Sequence, residues 1–117
     1  MTTLHNKVRL IGNVGQQPEI RTFDSGVKLA RLSLATVDRR RDFTGEYVSE
    51  TTWHNLVAWG RHAEVIGKYV GKGREIMVGG TLINRSYTDK NGDKRYLSEI
   101  RISEIKLLGS PGDRPNQ

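Results

Sequence analysis

The stretch Thr52-Trp53-His54-Asn55-Leu56-Val57-Ala58-Trp59-Gly60 contains both tryptophans of the chain and has the pattern of a β-strand. The indoles are six residues apart, an even number, so on a regular strand both point to the same side. At the usual rise per residue they would lie roughly 20 Å apart. The pair indicates either a platform for stacking unpaired bases or part of the core, because large aromatic side chains are usually well buried.

The charge balance around this strand favours a polyanionic partner. The chain has 117 residues, which suits one domain, and its 19 Lys and Arg against 13 Asp and Glu give a net charge of +6. Such a balance favours nucleic acid or an anionic membrane surface. A basic domain whose charge serves only solubility is the alternative.

Several function classes lack any signal in the chain. There is no cysteine, which excludes disulfides and thiolate metal sites and fits a cytoplasmic protein. The three histidines match no compact ligand motif, so we predict no metal and no cofactor. The acidic residues between Asp42 and Glu64 form no recognisable catalytic arrangement, so we predict no enzyme activity. Met1 to Lys7 has no signal-peptide pattern, and no stretch approaches the ~20 apolar residues of a membrane span.

Short segments of strand character surround the tryptophan strand. They are Lys7–Val14, Glu19–Phe23, Val27–Val37, Thr51–Trp59, Arg74–Tyr87 and Tyr96–Leu108. Ala63, Ile66 and Val70 recur at helical spacing and predict one helix of about ten residues. Residues 38–50 are expected to form a loop, and Asn91-Gly92 predicts a hairpin tip.

Breaks in the apolar alternation indicate curved strands. The apolar positions change phase between Leu29 and Leu32 and again between Ile102 and Ile105, which predicts a bulge or bend in each strand. Gly79-Gly80 predicts a third bend. Closed barrels need such bends, so the pattern predicts an all-β fold with one helix, the five-stranded Greek-key barrel called the OB-fold. We expect this domain to span 1–108 and a short flexible tail to span 109–117.

Many spaced motifs resemble those of bacterial single-stranded DNA-binding proteins, from Asn6 to Leu108. They are Asn6-Lys7-Val8, Gly12-Asn13-Val14-Gly15-Gln16-Gln17-Pro18-Glu19, Leu34-Ala35-Thr36, Thr52-Trp53-His54, Ala63-Glu64, Lys68-Tyr69-Val70-Gly71-Lys72-Gly73, Gly80-Thr81-Leu82, and Tyr87-Thr88-Asp89 followed by Gly92, Arg95-Tyr96 and Glu99. The resemblance implies an OB-fold subunit in a homotetramer. It implies binding of single-stranded DNA with little sequence preference during replication, recombination and repair, without cofactor or catalysis, in the cytoplasm at the nucleoid.

The resemblance also assigns roles to particular aromatic residues. Trp53 matches the stacking tryptophan of the third main strand, and Trp59 falls where relatives often carry a phenylalanine that packs on a base. Tyr87 falls at an aromatic position of the last hairpin. Arg40 departs from the pattern, since relatives often carry an aromatic residue there; a guanidinium can stack on a base or pair with phosphate.

Basic residues near these aromatics are candidates for phosphate contacts, with surface solubility as the alternative. The set is Arg39, Arg40, Arg41, Arg61, Lys72, Arg85 and Arg95, and Arg21, Lys28, Arg31 and Lys94 are less favoured. If the first strands of two protomers pair with each other, they make a dimer that buries Val8 and Leu10. Two such dimers would make the tetramer that the resemblance implies. The candidate interface residues are Lys7, Val8, Arg9, Leu10 and His54; Arg9 departs from the usual uncharged residue.

Other functions stay open at this point. The barrel could be a protein-interaction adaptor, or it could bind RNA, because stacking alone does not distinguish RNA from DNA. A relative dedicated to primosome assembly, or encoded by a plasmid or phage, also fits. Cellular relatives commonly end in an acidic, hydrophobic tip that recruits repair proteins; the chain ends at Gln117 without one.

Overall fold

The computed structural model describes residues 5–109 and contains a closed barrel of strands with one helix. In chain order the elements are β1 (Val8–Val14), β2 (Glu19–Thr22), β3 (Lys28–Arg41), β4 (Tyr47–Trp59), α1 (Arg61–Tyr69), β5 (Glu75–Thr88) and β6 (Lys94–Leu107). The helix and every predicted strand are present. The expected tail, apart from Gly109, and residues 1–4 lie outside the described residues.

Five strands close the barrel, and β2 extends the sheet beyond it. The strand order is β1-β5-β6-β4-β3-β2, and β1 also pairs with β3 through Asn13–Ala35 and Val14–Leu34. A parallel contact between β4 and β6 closes the other side, where Leu56 lies opposite Ile100. The predicted five-stranded OB-fold is therefore confirmed.

The core fills the barrel with aliphatic side chains from every barrel strand and from α1. Leu34, Leu56, Ile66, Ile76 and Val78 are its largest fully buried members. On β3 and β4 the core residues have even numbers. Side chains alternate along a strand, so odd-numbered residues of these two strands lie on the outer face. This parity decides which residues share the functional surface.

The two predicted changes of phase have different outcomes. In β6 the register shifts between Gly79–Glu104 and Gly80–Ile102, so Ser103 is an extra residue and the predicted bulge is confirmed. In β3 no bulge is present, because its pairing with β4 runs without interruption from Leu29–Trp59 to Arg41–Tyr47, and the alternative of a bend stays a prediction. Ala30 is the in-phase core residue, and Leu29 is buried on the outer face, outside the core cluster.

The expected loop over 38–50 is also wrong. β3 continues to Arg41 and β4 begins at Tyr47, so the arginine run lies in the arm of a long hairpin. Only Asp42–Glu46 forms the turn, where the Asp42 carboxylate accepts hydrogen bonds from the Thr44 and Glu46 backbone N–H groups. Charged residues are tolerated in these strands because both faces of the projecting arm are exposed.

The tip of the β5–β6 hairpin repeats this construction, as Asn91-Gly92 predicts. The Asp89 carboxylate accepts from the backbone N–H groups of Asn91 and Asp93 and from Nε of Arg95 at 2.7 Å. The Arg95 bond and the backbone bonds hold the pKa of Asp89 below its ordinary value. Gly92 has φ 84°, a conformation that favours glycine. Both hairpin arms therefore end in well-ordered turns.

Candidate nucleic-acid interface

Trp53 and Trp59 lie on the outer face of β4, as their even spacing predicts. Their side chains are 60% and 42% exposed, and neither belongs to the core cluster. Leu56 and Ala58, between them in sequence, point into the core instead. The two indoles are thus available to a ligand, and the alternative that they are core residues is wrong.

Three adjoining cavities follow this outer face from Trp53 to Trp59, and we call them together the groove. The proximal cavity, about 390 Å³, is lined by Gly15, Gln16, Ser33 and Trp53. The central cavity, about 360 Å³, is lined by Gln16, Gln17, Glu19, Arg31, Leu32, Ser33, Asn55, Leu56, Leu97 and Glu99. The distal cavity, about 240 Å³, is lined by Glu19, Arg21, Phe23, Leu29, Arg31 and Trp59. Each cavity shares two lining residues with the next, so the three lie side by side along this face.

Two arginines converge on one buried carboxylate in the central cavity. Glu99 of β6 is 4% exposed and accepts hydrogen bonds from Nη1 of Arg31 at 2.5 Å and from Nε of Arg85 at 3.0 Å. Burial by itself raises the pKa of the Glu99 carboxyl, but the bonds and charges of Arg85 and Arg31 outweigh it and hold the pKa below its ordinary value. The cluster carries two positive charges and one negative charge, and Glu19 adds a second carboxylate to the cavity lining, so the centre of the groove offers two guanidinium groups without a net positive charge.

Apart from Glu19, the remaining polar side chains of the central cavity are uncharged. Ser33 and Asn55 are cross-strand partners on β3 and β4, and Gln16 and Gln17 come from the loop after β1. Amides and hydroxyls both donate and accept hydrogen bonds, which suits phosphate oxygens and base edges alike. The backbone N–H of Lys72 donates to Oε1 of Gln17 at 3.4 Å, which brings the predicted Lys72 beside the groove.

The β3–β4 hairpin divides the predicted arginine run between its two faces. Arg39 and Arg41 have the odd numbering of the Trp53 face, and Nη2 of Arg41 donates to the Tyr47 hydroxyl at 2.9 Å. Arg40 lies on the opposite face, where its guanidinium is 3.6 Å from the Glu50 carboxylate. All three arginines are exposed, so two of them extend the groove's face along the hairpin.

The β5–β6 hairpin extends the same face on the other side of the groove. Tyr87, 50% exposed, lies opposite Arg95, and Arg85 lies opposite Leu97, which lines the central cavity. Arg85 and Tyr87 are two residues apart and so share a face. The hydrogen bond from Arg85 to Glu99 places this face beside the groove. Arg61, the remaining predicted residue, is the exposed first residue of α1, two positions after Trp59.

Sequence reasoning missed or undervalued some residues of the groove. Arg31 was among the less favoured candidates, although it lines both the central and distal cavities. Glu99 was noted only as part of a motif, and Phe23 only as the end of a strand. The apolar phase change at Leu29 was the available signal for Phe23, because a buried leucine on an outer face requires a cover.

The candidate interface residues gather around β1, except for His54. Over Val8–Gly12 the strand pairs with β5 on one side, and within residues 5–109 its pairing with β3 involves only Asn13 and Val14. Val8 and Leu10 are half-buried against the core, Arg9 is exposed, and Lys7 forms an ion pair with Glu104 at 2.9 Å. His54 is on β4, where its Nε2 lies 2.9 Å from the Thr36 hydroxyl. In the sheet, β6 is flanked by β5 and β4.

The described part of the chain contains neither a membrane-spanning helix nor a cluster of metal ligands. No helix within residues 5–109 is long and apolar enough to cross a membrane. Over the same range, no three His, Cys, Asp or Glu side chains are grouped as a metal ion would require.

Comparisons with known proteins agree with this geometry. The model of the Single-strand binding protein family matches residues 5–108. Single-stranded DNA-binding protein 1 of Xylella fastidiosa (strain 9a5c) is 42% identical over 109 residues, covering 92% of this chain and 80% of that protein. The single-stranded DNA-binding protein of Bacteroides thetaiotaomicron is 44% identical, with coverage of 92% and 68%. A solved complex of Plasmodium falciparum SSB with ssDNA matches at a TM-score of 0.83 and 34% identity, with coverage of 93% and 99%.

Proposed function

Because the chain belongs to the single-strand binding protein family, we propose that it binds and protects single-stranded DNA with little sequence preference, using the groove as its central contact. The row of adjoining cavities between two exposed indoles, with Arg31 and Arg85 at its centre, is the observation that carries the proposal. A stacked duplex hides its base faces, whereas an unpaired strand presents them to aromatic side chains. The proposal therefore concerns unpaired strands.

Trp53 and Trp59 bind bases by stacking at the two ends of the groove. Each stacked base contributes about 1–3 kcal/mol as measured by alanine substitution, whatever the base, because every base has a π-face. Tyr87 offers a third ring on the β5–β6 hairpin. Stacking of this kind gives affinity without strong sequence preference.

Basic side chains on the same face bind the phosphates. Arg39 and Arg41 lie along one hairpin, Arg85 and Arg95 along the other, and Arg61 and Lys72 beside the ends of the groove. Arg40 faces the other side of its hairpin, where it would contact a strand that passes round the arm. Binding to these groups releases counterions and makes the affinity depend on salt.

The cellular role proposed for the protein is that of its family: it covers exposed strands during replication, recombination and repair, and it performs no catalysis. The matched range, 5–108, supports a DNA-binding domain that ends near Leu108. The absence of cysteine suits a cytoplasmic protein that works at the nucleoid.

A homotetramer is the proposed assembly, with dimers formed through β1. The edge of β1 over Val8–Ile11 supports this step, because unpaired backbone groups at a strand edge can pair with another chain. A two-fold axis at this edge would bring Lys7, Arg9 and Leu10 of each protomer close to the other. Sedimentation equilibrium tests the assembly: the predicted mass is four chains, and a monomer at micromolar concentration would refute it.

A competition experiment tests the ligand. Labelled oligo-dT bound to the protein is challenged with unlabelled oligo-dT, oligo-U and duplex DNA of equal length. The proposal predicts that oligo-dT competes best and duplex DNA worst. Displacement by oligo-U at lower concentration than oligo-dT would favour an RNA-binding role, and failure to bind oligo-dT at low salt would exclude the proposed function.

A further inference from the structure

Phe23 extends the aromatic surface of the groove beyond Trp59. The two ring centroids are 5.8 Å apart and the ring planes differ by 18°, which is a stacked arrangement. The Cζ atom of Arg21 lies 5.2 Å from the Phe23 centroid, within cation–π range. Guanidinium, phenyl and indole therefore contact one another in succession across β2, the following turn and the end of β4.

The local sequence explains why these groups meet. Arg21 of β2 pairs with Leu29 of β3, and Leu29 pairs with Trp59 of β4, so the three residues form one row across the sheet. The turn after β2 is closed by the Phe23 N–H, which donates to the Val27 carbonyl at 2.9 Å. This turn holds the phenyl ring over the row. Leu29, 6% exposed on the outer face, is thereby covered.

The distal cavity combines the features that an unpaired nucleotide requires. Phe23 and Trp59 supply flat faces, and Leu29 supplies an apolar floor. Arg21 is exposed, and within residues 5–109 no carboxylate lies in ion-pair contact with it. Glu19 and Arg31 also line the central cavity, so a strand in the groove can continue into the distal cavity without a break.

We propose that the distal cavity is a further nucleotide subsite, in which an unpaired base stacks on the Phe23–Trp59 pair and Arg21 contacts the adjoining phosphate. This inference rests on the proposed function. The rings of Phe23 and Trp59 are already in contact, so the base is not inserted between them. It takes the place of the Arg21 guanidinium over the phenyl ring, and the displaced guanidinium contacts the phosphate. The bound strand then leaves the groove across β2, and the footprint extends past Trp59.

The test uses oligo-dT of increasing length and two variants of Phe23. F23L keeps an apolar cover over Leu29 but removes the flat ring, whereas F23Y keeps the ring. F23L is expected to weaken binding of long oligo-dT by about fivefold or more, the lower bound for loss of one stacked base. The shortest oligonucleotides that still bind are expected to lose much less, and F23Y is expected to bind like wild type.

Arg21 gives an independent measurement that does not depend on aromatic packing. R21Q is expected to reduce the slope of log affinity against log salt by about 0.7, the contribution of one phosphate on a single strand. Y69A is the matched control, because Tyr69 is an exposed aromatic on α1 that lines none of the three cavities. It should change neither affinity nor slope.

The outcomes separate this subsite from the proposed function. If wild type binds oligo-dT and W53A weakens that binding, but F23L and R21Q both behave like wild type, the distal subsite is refuted alone. If wild type fails to bind oligo-dT at low salt, the proposed function is refuted as well. Thermal unfolding of each variant checks that the barrel is intact.

Discussion

A β-carbon on Gly15 would lie 2.7 Å from the Cζ3 atom of Trp53, closer than nonbonded carbon atoms approach in folded proteins. The same β-carbon would lie 2.7 Å from Oγ of Ser33. The absence of a side chain at position 15 therefore lets the indole lie against the loop after β1. Both residues line the proximal cavity, so this contact fixes one end of the groove.

Gly15→Ala should displace the Trp53 indole, because an exposed side chain moves more readily than the backbone. We expect oligo-dT binding to become less favourable by at most the free energy that one stacked base contributes, which is about 1–3 kcal/mol. Fluorescence titration measures the loss. Gly67→Ala is the control: its β-carbon would meet only Ile20 atoms at 3.6 Å or beyond, so binding should be unchanged. Unaltered affinity in G15A would show that Gly15 does not position the indole.

Glu99→Gln should destabilise the fold and remove part of its sensitivity to acid. The lowered pKa of Glu99 means that its contribution to stability is present above the ordinary value of 4.5 and is lost as the pH falls through the folded-state pKa. At neutral pH we expect a loss of about 1–3 kcal/mol in the free energy of unfolding, since charged hydrogen bonds to two arginines are weakened. Urea unfolding measures this loss.

Repeating the unfolding between pH 7 and pH 3 tests the sign. Wild type should lose more stability than E99Q below pH 4.5. Glu104→Gln is the matched control, because among residues 5–109 the exposed Glu104 forms an ion pair only with Lys7, at the surface, and its loss should change stability little. Parallel pH curves for wild type and E99Q would contradict the assignment.

Arg39→Gln and Arg40→Gln make the same substitution at neighbouring positions on opposite faces of the β3–β4 hairpin. Arg39 shares the outer face of Trp53, whereas Arg40 lies with Glu50 on the other side. R39Q should lower the slope of log affinity against log salt by about 0.7, and R40Q should lower it less. The measurement is oligo-dT affinity at several salt concentrations. A larger effect of R40Q would place the strand on the Arg40 face.

Local pattern was sufficient to predict the barrel and the positions of its tryptophans. Alternation along β4 placed Trp53 and Trp59 on one face, and Asn91-Gly92 marked the hairpin tip, because both depend on neighbours in sequence. The length of the β3–β4 hairpin was not predicted. In the sequence alone, the run Arg39 to Arg41 resembles a loop. It can form a strand because both faces of the hairpin arm are exposed, which the structure shows and the sequence does not.

The rest of the site depends on contacts between residues distant in the sequence. Arg31 and Glu99 are 68 positions apart and meet only because β3, β4 and β6 are neighbours in one barrel. The phase change at Leu29 was interpreted as a bulge or bend because the cover of this residue, Phe23 and Trp59, comes from other elements. Side-chain clusters of this kind leave little trace in a single sequence.

The most direct test of the central claim uses each tryptophan as its own reporter. Trp53→Phe leaves Trp59 as the only tryptophan, and Trp59→Phe leaves Trp53, while phenylalanine keeps a ring at the substituted position. Saturation with long oligo-dT at low salt should quench the remaining tryptophan in both variants, and added salt should reverse the quenching. If either tryptophan kept its full emission in the saturated complex, the groove from Trp53 to Trp59 would not be the path of the bound strand.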